Sequence, residues 1–407
     1  MYKNNRKSGI PVYGQLLSLI SRNDFSRIVK KHGADRYTKS FNSWDHLVTM
    51  LFAVVQKVGG LRELCSGMAA HNQSLKHLGM KSLPSKSNLS DRNKTRTPKV
   101  FEELFFSIYR QYRSVLTDSS LPKNEKWLSR LFLIDSTTIT LFKNILKACG
   151  NAMANGRRKG GVKIHCGMWL EEQVPSLIRI TKAAENDKNF MIKFKNMPPE
   201  TILVFDKAYV NYSLFMHWGN TQVSFVSCLH KRSVVTHKSF QILTQADNDY
   251  GITSDCEVQL GHKSQENKVN ARLITFYDKE KDSELQFITN DFRLEAWEIA
   301  EIYKQRWQIE ILFKRLKQNI KITSFLGDNE NAIYIQIWCA LIADILMQIA
   351  RKGASKSKMA YSVVCGLLKL HLMNYVQIKN LLLNPANPEI FQQKPPPQPN
   401  LFNQWAP

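Results

Sequence analysis

The chain has 407 residues, with 57 Lys and Arg against 34 Asp and Glu, giving a net charge of +23. A hydrophobic content of 43% and a charged content of 22% are those of an ordinary globular protein, which excludes a wholly disordered chain. The charge excess favours a polyanion partner, because each phosphate contact releases counterions; a merely basic globular protein and an anionic membrane surface are the rival readings, and the latter lacks a basic amphipathic anchor.

The opening "MYKNNRKSGIPVYGQ" has no apolar signal core, so no secretory signal is visible and a cytoplasmic location is expected. Residues 1 to about 120 read as helical: "FSRIVKKHGADRY" and "WDHLVTMLFAVVQKV" carry apolar residues at helical spacing. "PSKSNLSDRNKTRTPKV", 84–100, is basic and bounded by proline, and reads either as a loop over a phosphate backbone or as a plain linker. From about 130 the pattern turns to strands. "RLFLID" (130–135) and "TILVFD" (201–206) are short apolar runs ending in Asp, and "KGGVKIHCGMWL" and "VPSLIRIT" lie between them. "NGRRKGGVK", 155–163, is either a DNA contact or a solvated hairpin turn. Residues 222–290 hold further strand-like pieces. "AIYIQIWCALIADILMQIA", 332–350, contains Gln336, Asp344 and Gln348 and reads as a buried core helix rather than a membrane span. The end is rich in Pro and Gln and reads as an unpacked tail. Seven scattered cysteines, without a CxxC pair, argue for a reducing compartment and against a disulfide framework or a structural zinc site. The ten histidines show no zinc-ligand pair.

"YKQRWQIEILFKRLK", 303–317, reads as one helix. At about 100° per residue, Tyr303, Arg306, Glu310 and Lys317 share a narrow polar stripe. Ile302, Ile309, Phe313, Leu316 and Ile320 form the apolar stripe beside it. An Arg–Glu pair four residues apart explains part of this row but not the alignment of Tyr303 and Lys317. Asp135 and Asp206 close two strands, at the rim where ligands bind in α/β folds. With Glu310 they would be three converging carboxylates, which repel unless a cation lies among them. A hard divalent ion such as Mg²⁺ takes oxygen ligands, and two such ions can activate a hydroxyl and stabilise a leaving phosphodiester oxygen. Arg306 and Lys317 would then hold phosphates, while Tyr303 donates a hydrogen bond or stacks on a base. Trp307 packs either on the β-rich region or on DNA.

The spacing Y-x2-R-x3-E-x6-K over Tyr303, Arg306, Glu310 and Lys317 resembles the signature of DDE transposases of the insertion-sequence-four type. "LIDSTTITL" around Asp135 and "VFDKAYVNY" around Asp206 resemble the family's first and second catalytic blocks, and the similarity spans about residues 10–350. The resemblance implies an α/β chain with a ribonuclease-H-like core. Its mixed sheet would be interrupted by a mostly β insertion at about 222–290 and preceded by an all-α N-terminal domain. The domains would be 1–120, helical and DNA-binding; 121–350, the catalytic core; 351–383, a C-terminal helical region; and 384–407, the tail. Asp135, Asp206 and Glu310 would be the catalytic residues and the ligands of two Mg²⁺ ions, with Mn²⁺ able to substitute. Tyr303, Arg306 and Lys317 would bind double-stranded DNA at the terminal inverted repeats of the element. The enzyme would cleave the ends of its own element, pass through a hairpin and join target DNA, acting as a homodimer on DNA. It would be associated with the nucleoid and need no membrane. Two departures stand out. No Trp lies between Trp218 and Trp297 to handle a flipped base, leaving Phe276, Tyr277 or Phe287 as stacking candidates, and Ala208 stands where Gly is common. A related nuclease that does not integrate and a DNA-binding regulator with structural carboxylates remain alternatives.

Overall fold

The computed structural model describes residues 9–117, 125–140, 161–185, 187–230, 232–261, 268–319, 325–354 and 359–387. Ile320, Cys149, residues 155–160 of the basic turn and the tail from 388 lie outside them. The chain divides into two compact units, Met1–Ile108 with Trp338–Pro407, and Tyr109–Ile337.

The described part of the first unit is helical. Its centre is the helix Ser43–Gln56, buried on every side from Ser43 to Val55, so its sequence is apolar around most of its circumference. Most of its buried polar groups are paired, as low dielectric requires, the exception being His46 Nδ1. Asp45 accepts from the Lys81 backbone N–H (2.9 Å) and the Ser82 hydroxyl (3.1 Å), and the Trp44 indole donates to the Leu78 carbonyl (2.9 Å). His46 Nε2 lies 2.7 Å from Asn93 Oδ1. The basic stretch expected as a loop is instead a helix, Lys86–Thr95, capped by the Ser85 hydroxyl on the Asn88 N–H. The cap starts it, and burial of Leu89 and Asn93 holds it despite its polar composition.

The second unit is built on one nine-stranded mixed sheet. The strands are β1 (Leu131–Thr140), β2 (Gly161–Trp169), β3 (Leu177–Lys182), β4 (Ile202–Phe205), β5 (Ser224–Cys228), β6 (Val235–Phe240), β7 (Ile252–Leu260), β8 (Val269–Asp278) and β9 (Ser283–Thr289). Their order is β3-β2-β1-β4-β5-β9-β8-β7-β6. β1 runs parallel to β4, and β4 to β5, while the other pairings are antiparallel. All four residues of β4 are buried, the continuous apolar run of a strand covered on both faces. The segment 222–290 is β-rich, but its strands are not a separate sheet. β5 extends the parallel pair, and β9 returns to pair with β5. The core packs Phe132, Phe194, Phe205, Phe215 and Trp218 around β1, β4 and β5, with the Trp218 indole donating to the Phe194 carbonyl (2.9 Å).

The helix Glu330–Gly353 is long and apolar enough to cross a membrane, but 94% of its apolar window is buried in the protein, as for a core helix. Its buried Asp344 accepts from the Tyr361 hydroxyl at 2.7 Å.

Burial, reinforced by the nearby Arg96 charge, pushes the His46 imidazole down to about 3. The unfolded imidazole takes up its proton near pH 6.5, so the stability tied to neutral His46 is complete above that pH and is lost as pH falls towards 3. Between pH 6.5 and 5, wild type should lose about 2 kcal/mol more than His46→Gln in urea unfolding. Parallel losses in the two proteins would refute a neutral buried imidazole.

Candidate functional site

β1 and β4 bring the two aspartates together. Ile134 pairs with Phe205 in the parallel ladder, so Asp135 and Asp206 come next side by side; Asp135 does not close its strand as expected, because β1 continues to Thr140 as the partner of β2. Phe205 ends β4, and Asp206 then caps a short turn, its carbonyl accepting from the Tyr209 N–H (3.0 Å).

The third carboxylate arrives by a different path from the one its sequence suggests. The stretch from Tyr303 to Lys317 is two helices, Ala296–Lys304 and Trp307–Asn319, with a turn at Gln305–Arg306. Around the turn the bonds Arg306 N–H to Tyr303 O (3.0 Å) and Ile309 N–H to Arg306 O (3.1 Å) span three residues rather than four. The single four-turn stripe is therefore interrupted after Tyr303. Glu310 and Lys317 still share a face, since they lie seven residues apart within the second helix. Ile302, Ile309, Phe313 and Leu316 are buried as expected.

Arg306, in the turn, joins two of the acids. Its Nη1 lies 3.0 Å from Asp135 Oδ2 and its Nη2 2.7 Å from Glu310 Oε1, the latter the expected i,i+4 pair. Burial raises the Asp135 carboxyl to about 6; the Ser136 N–H and Arg306 oppose the rise, and the charges of Asp206 and Glu310 add to it. Burial also works against the Arg306 charge, yet Tyr303, Asp135 and Glu310 together hold its pKa above the ordinary range. Its Nε is buried without a hydrogen-bond partner. Among the described residues no three Asp, Glu, His or Cys side chains are already gathered as a metal cage. The guanidinium takes up two of the carboxylates instead. The donor set itself, three carboxylates sensed at Asp135, suits a hard divalent cation.

Tyr303 is half-buried, with its ring 4.9 Å from that of Phe287 and the Arg306 guanidinium 5.6 Å from its centroid. Burial first, and then the Cys228 thiol it bonds, raises its pKa. Lys317 and Trp307 are exposed. Of the stacking candidates, Phe287 is buried against Tyr303 and Phe276, and the Tyr277 hydroxyl donates to Asp282. Ala208 has no positive φ, so this backbone needs no glycine.

Three neighbours of the site carried no sequence assignment. Cys228, at the end of β5, holds the Tyr303 hydroxyl. Tyr209 of "DKAY" is buried, bonds Ser136 beside Asp135, and lies 3.4 Å from His165 Nδ1. The only sequence signal for Tyr209 is its place three residues after Asp206. The incoming helix is held from the β-rich side: Asp247 Oδ1 accepts from the Trp297 N–H (2.9 Å), and the Tyr250 hydroxyl donates to Glu301 (2.6 Å).

Arg306→Ala would leave two half-buried acids facing each other, and should cost about 1–3 kcal/mol in urea unfolding. Arg306→Lys should recover only part of this, since a single ammonium cannot fork to both carboxylates. Unchanged stability in Arg306→Ala would show that the bridge holds nothing together.

Residues 126–346 match the family described as "Transposase DDE domain", and residues 8–81 match a "Domain of unknown function (DUF4372)". The predicted transposase y4zB of Sinorhizobium fredii is 32% identical over 274 residues, covering 66% of this chain and 72% of its own length. The predicted transposase of insertion sequence element IS5377 of Geobacillus stearothermophilus is 28% identical, covering 54% of this chain and 56% of its own. Transposase InsG of insertion sequence element IS4 of Escherichia coli is 22% identical, covering 52% and 50%. Among solved structures, a piggyBac transposase synaptic complex with hairpin DNA aligns at a TM-score of 0.45 and 11% identity, over 98% of this chain and 88% of that one, too distant to bear on function. The chain belongs to the DDE transposase family, and its relatives are the transposases of insertion elements, that of IS4 among them.

Proposed function

We propose that this transposase cleaves the ends of its own insertion element and joins them to target DNA through a divalent-metal site made by Asp135, Asp206 and Glu310. The observation that carries the reading is that Asp135 and Asp206 directly follow the paired residues Ile134 and Phe205 of parallel β1 and β4, with Arg306 bridging Asp135 to Glu310. The strand order β3-β2-β1-β4-β5, antiparallel and then parallel, supports a ribonuclease-H-like core. The three carboxylates would hold two Mg²⁺ ions, with Mn²⁺ as a substitute. Bound there, the ions would supply an activated water or 3′-hydroxyl and a stabilised leaving oxygen.

The chain's own residues do the rest. Asp135 gives up its proton more readily once positive charge joins it, because the repulsion from Asp206 and Glu310 is relieved. Arg306 releases the carboxylates and turns its fork to a DNA phosphate, and Lys317 adds a point charge on the Glu310 face. Tyr303, fixed by Phe287 and Cys228, shapes the wall beside Arg306. Double-stranded DNA carrying the terminal inverted repeats is the substrate, a hairpin is the intermediate implied by the resemblance, and two copies act on two ends. The N-terminal helical region contributes DNA binding, and the protein works at the nucleoid in the cytoplasm.

Glu310→Gln should keep DNA binding and lose at least a thousandfold in Mg²⁺-dependent cleavage of a duplex carrying the element's ends, read on a denaturing gel. Equal cutting by wild type and variant would remove Glu310 from the chemistry. Lys317→Ala should weaken binding to element ends by about fivefold to tenfold, and random duplex by less. Equal losses on both would deny Lys317 a role in end recognition.

A further inference from the structure

We propose that a groove in the N-terminal helical region binds the phosphodiester backbone of DNA. This rests on the transposase reading above and assigns a surface to the domain of unknown function. The groove has a volume of about 620 Å³. Its floor includes the buried rings of Phe25 and Trp44, and the Arg22 guanidinium lies 3.5 Å above the Trp44 ring. Partial burial pulls the Arg22 pKa below its ordinary value against the opposing charge of Asp45, while the residue stays open to an incoming anion.

One wall is the helix Arg22–Lys31, on which Arg22, Ser26 and Lys30 recur every four residues. That spacing sets them about 6 Å apart in a row about 12 Å long. Arg36 and Lys81 also line the groove. Lys81 is held in place by its neighbours. The buried Asp45 takes the Lys81 N–H and the Ser82 hydroxyl, while Gly79 turns the chain at a φ of +67°. Among the described residues, Lys30, Arg36 and Lys81 make no ion pair. Asp35 is the one lining carboxylate, and it is already satisfied: its Oδ1 accepts from Arg96 Nη2 (3.0 Å) and from both the N–H and the hydroxyl of Ser43. The groove is left with four cations against one further acid, the buried Asp45, whose charge is felt by Arg22 from behind the lining. At its edge Tyr37 is 86% exposed at a φ of +60°, with Arg36 5.1 Å from its ring centroid. An exposed aromatic in a strained backbone gives a sugar or base a face to stack on.

A DNA strand carries one phosphate per about 3.4 Å of axis but winds around that axis, so a row about 12 Å long faces two or three in succession. Arg, Lys and Ser are phosphate partners, and such contacts fix position without reading sequence. The groove should therefore act on element ends and unrelated DNA alike.

The test uses the full chain and two labelled duplexes, one with the element's terminal sequence and one unrelated, titrated between 50 and 200 mM salt. The variant combines Lys30→Ala, Arg36→Ala and Lys81→Ala. Three lost phosphate contacts at about 0.9 each should reduce the log–log salt slope by about 2.7 on both duplexes. Affinity at 100 mM should fall at least tenfold, with the cooperative thermal melt of the wild type retained. If wild type binds and cuts and the variant keeps its slope and affinity, the groove assignment is overturned and the transposase reading survives. If wild type itself neither binds nor cuts, both fall together. A variant that keeps DNA binding but loses a labelled polyglutamate probe would assign the groove to acidic peptide instead. Should the triple variant lose its cooperative melt, the three single variants carry the test, each lowering the slope by about 0.9.

Discussion

Three like charges at one edge of a sheet are the constraint to which the rest of the second unit answers. Burial first, and then the charges of Asp206 and Glu310, lift the Asp135 carboxyl to about 6. Arg306 offsets this rise by reaching Asp135 with one nitrogen and Glu310 with the other. Its reach depends on the turn at Gln305–Arg306, which lets the guanidinium meet the end of one helix and the start of the next. The turn in turn depends on Tyr303, and Tyr303 on Phe287 from β9 and Cys228 from β5. The returning strand β9 is thus part of the site's support rather than an appendage.

Much of this was legible in the sequence, for reasons that are local. An apolar run closed by Asp marks a buried strand with a carboxylate at its rim; "TILVFD" became such a strand, whereas β1 runs on from "RLFLID" to Thr140, so Asp135 lies within its strand rather than at its end. The periodic burial of Ile302, Ile309, Phe313 and Leu316 follows from helix geometry alone. The helix break was not legible, because neither Gly nor Pro occurs between Ala296 and Asn319 to announce it. Nor was β6: all but the first of its residues are exposed, so no alternation betrays it. The helix Lys86–Thr95 was hidden by its own polarity, and a cap with two buried side chains was enough to form it.

Cys228, Tyr209 and His165 show a different limit. Cys228 and His165 reach the site only because β2, β1, β4 and β5 are neighbours, and Tyr209, though close to Asp206 in the chain, meets Ser136 and His165 for the same reason. In the helical unit the same holds for Asp45. As a residue it is one acid in an apolar helix, and only the fold shows it holding the turn that carries Lys81.

The register of β1 against β4 has a consequence for how such a chain can change. Successive side chains in a strand point to opposite faces, so inserting or deleting one residue before Asp135 would exchange the faces. The carboxylate would then take the place of a core residue such as Ile134, and the core residue would take its place at the rim. Hydrophobic core and charged site are written in the same parity. Substitution can adjust either of them separately, whereas a frame-preserving insertion or deletion in β1 disturbs both at once, and drift by length change is confined to the connections between strands.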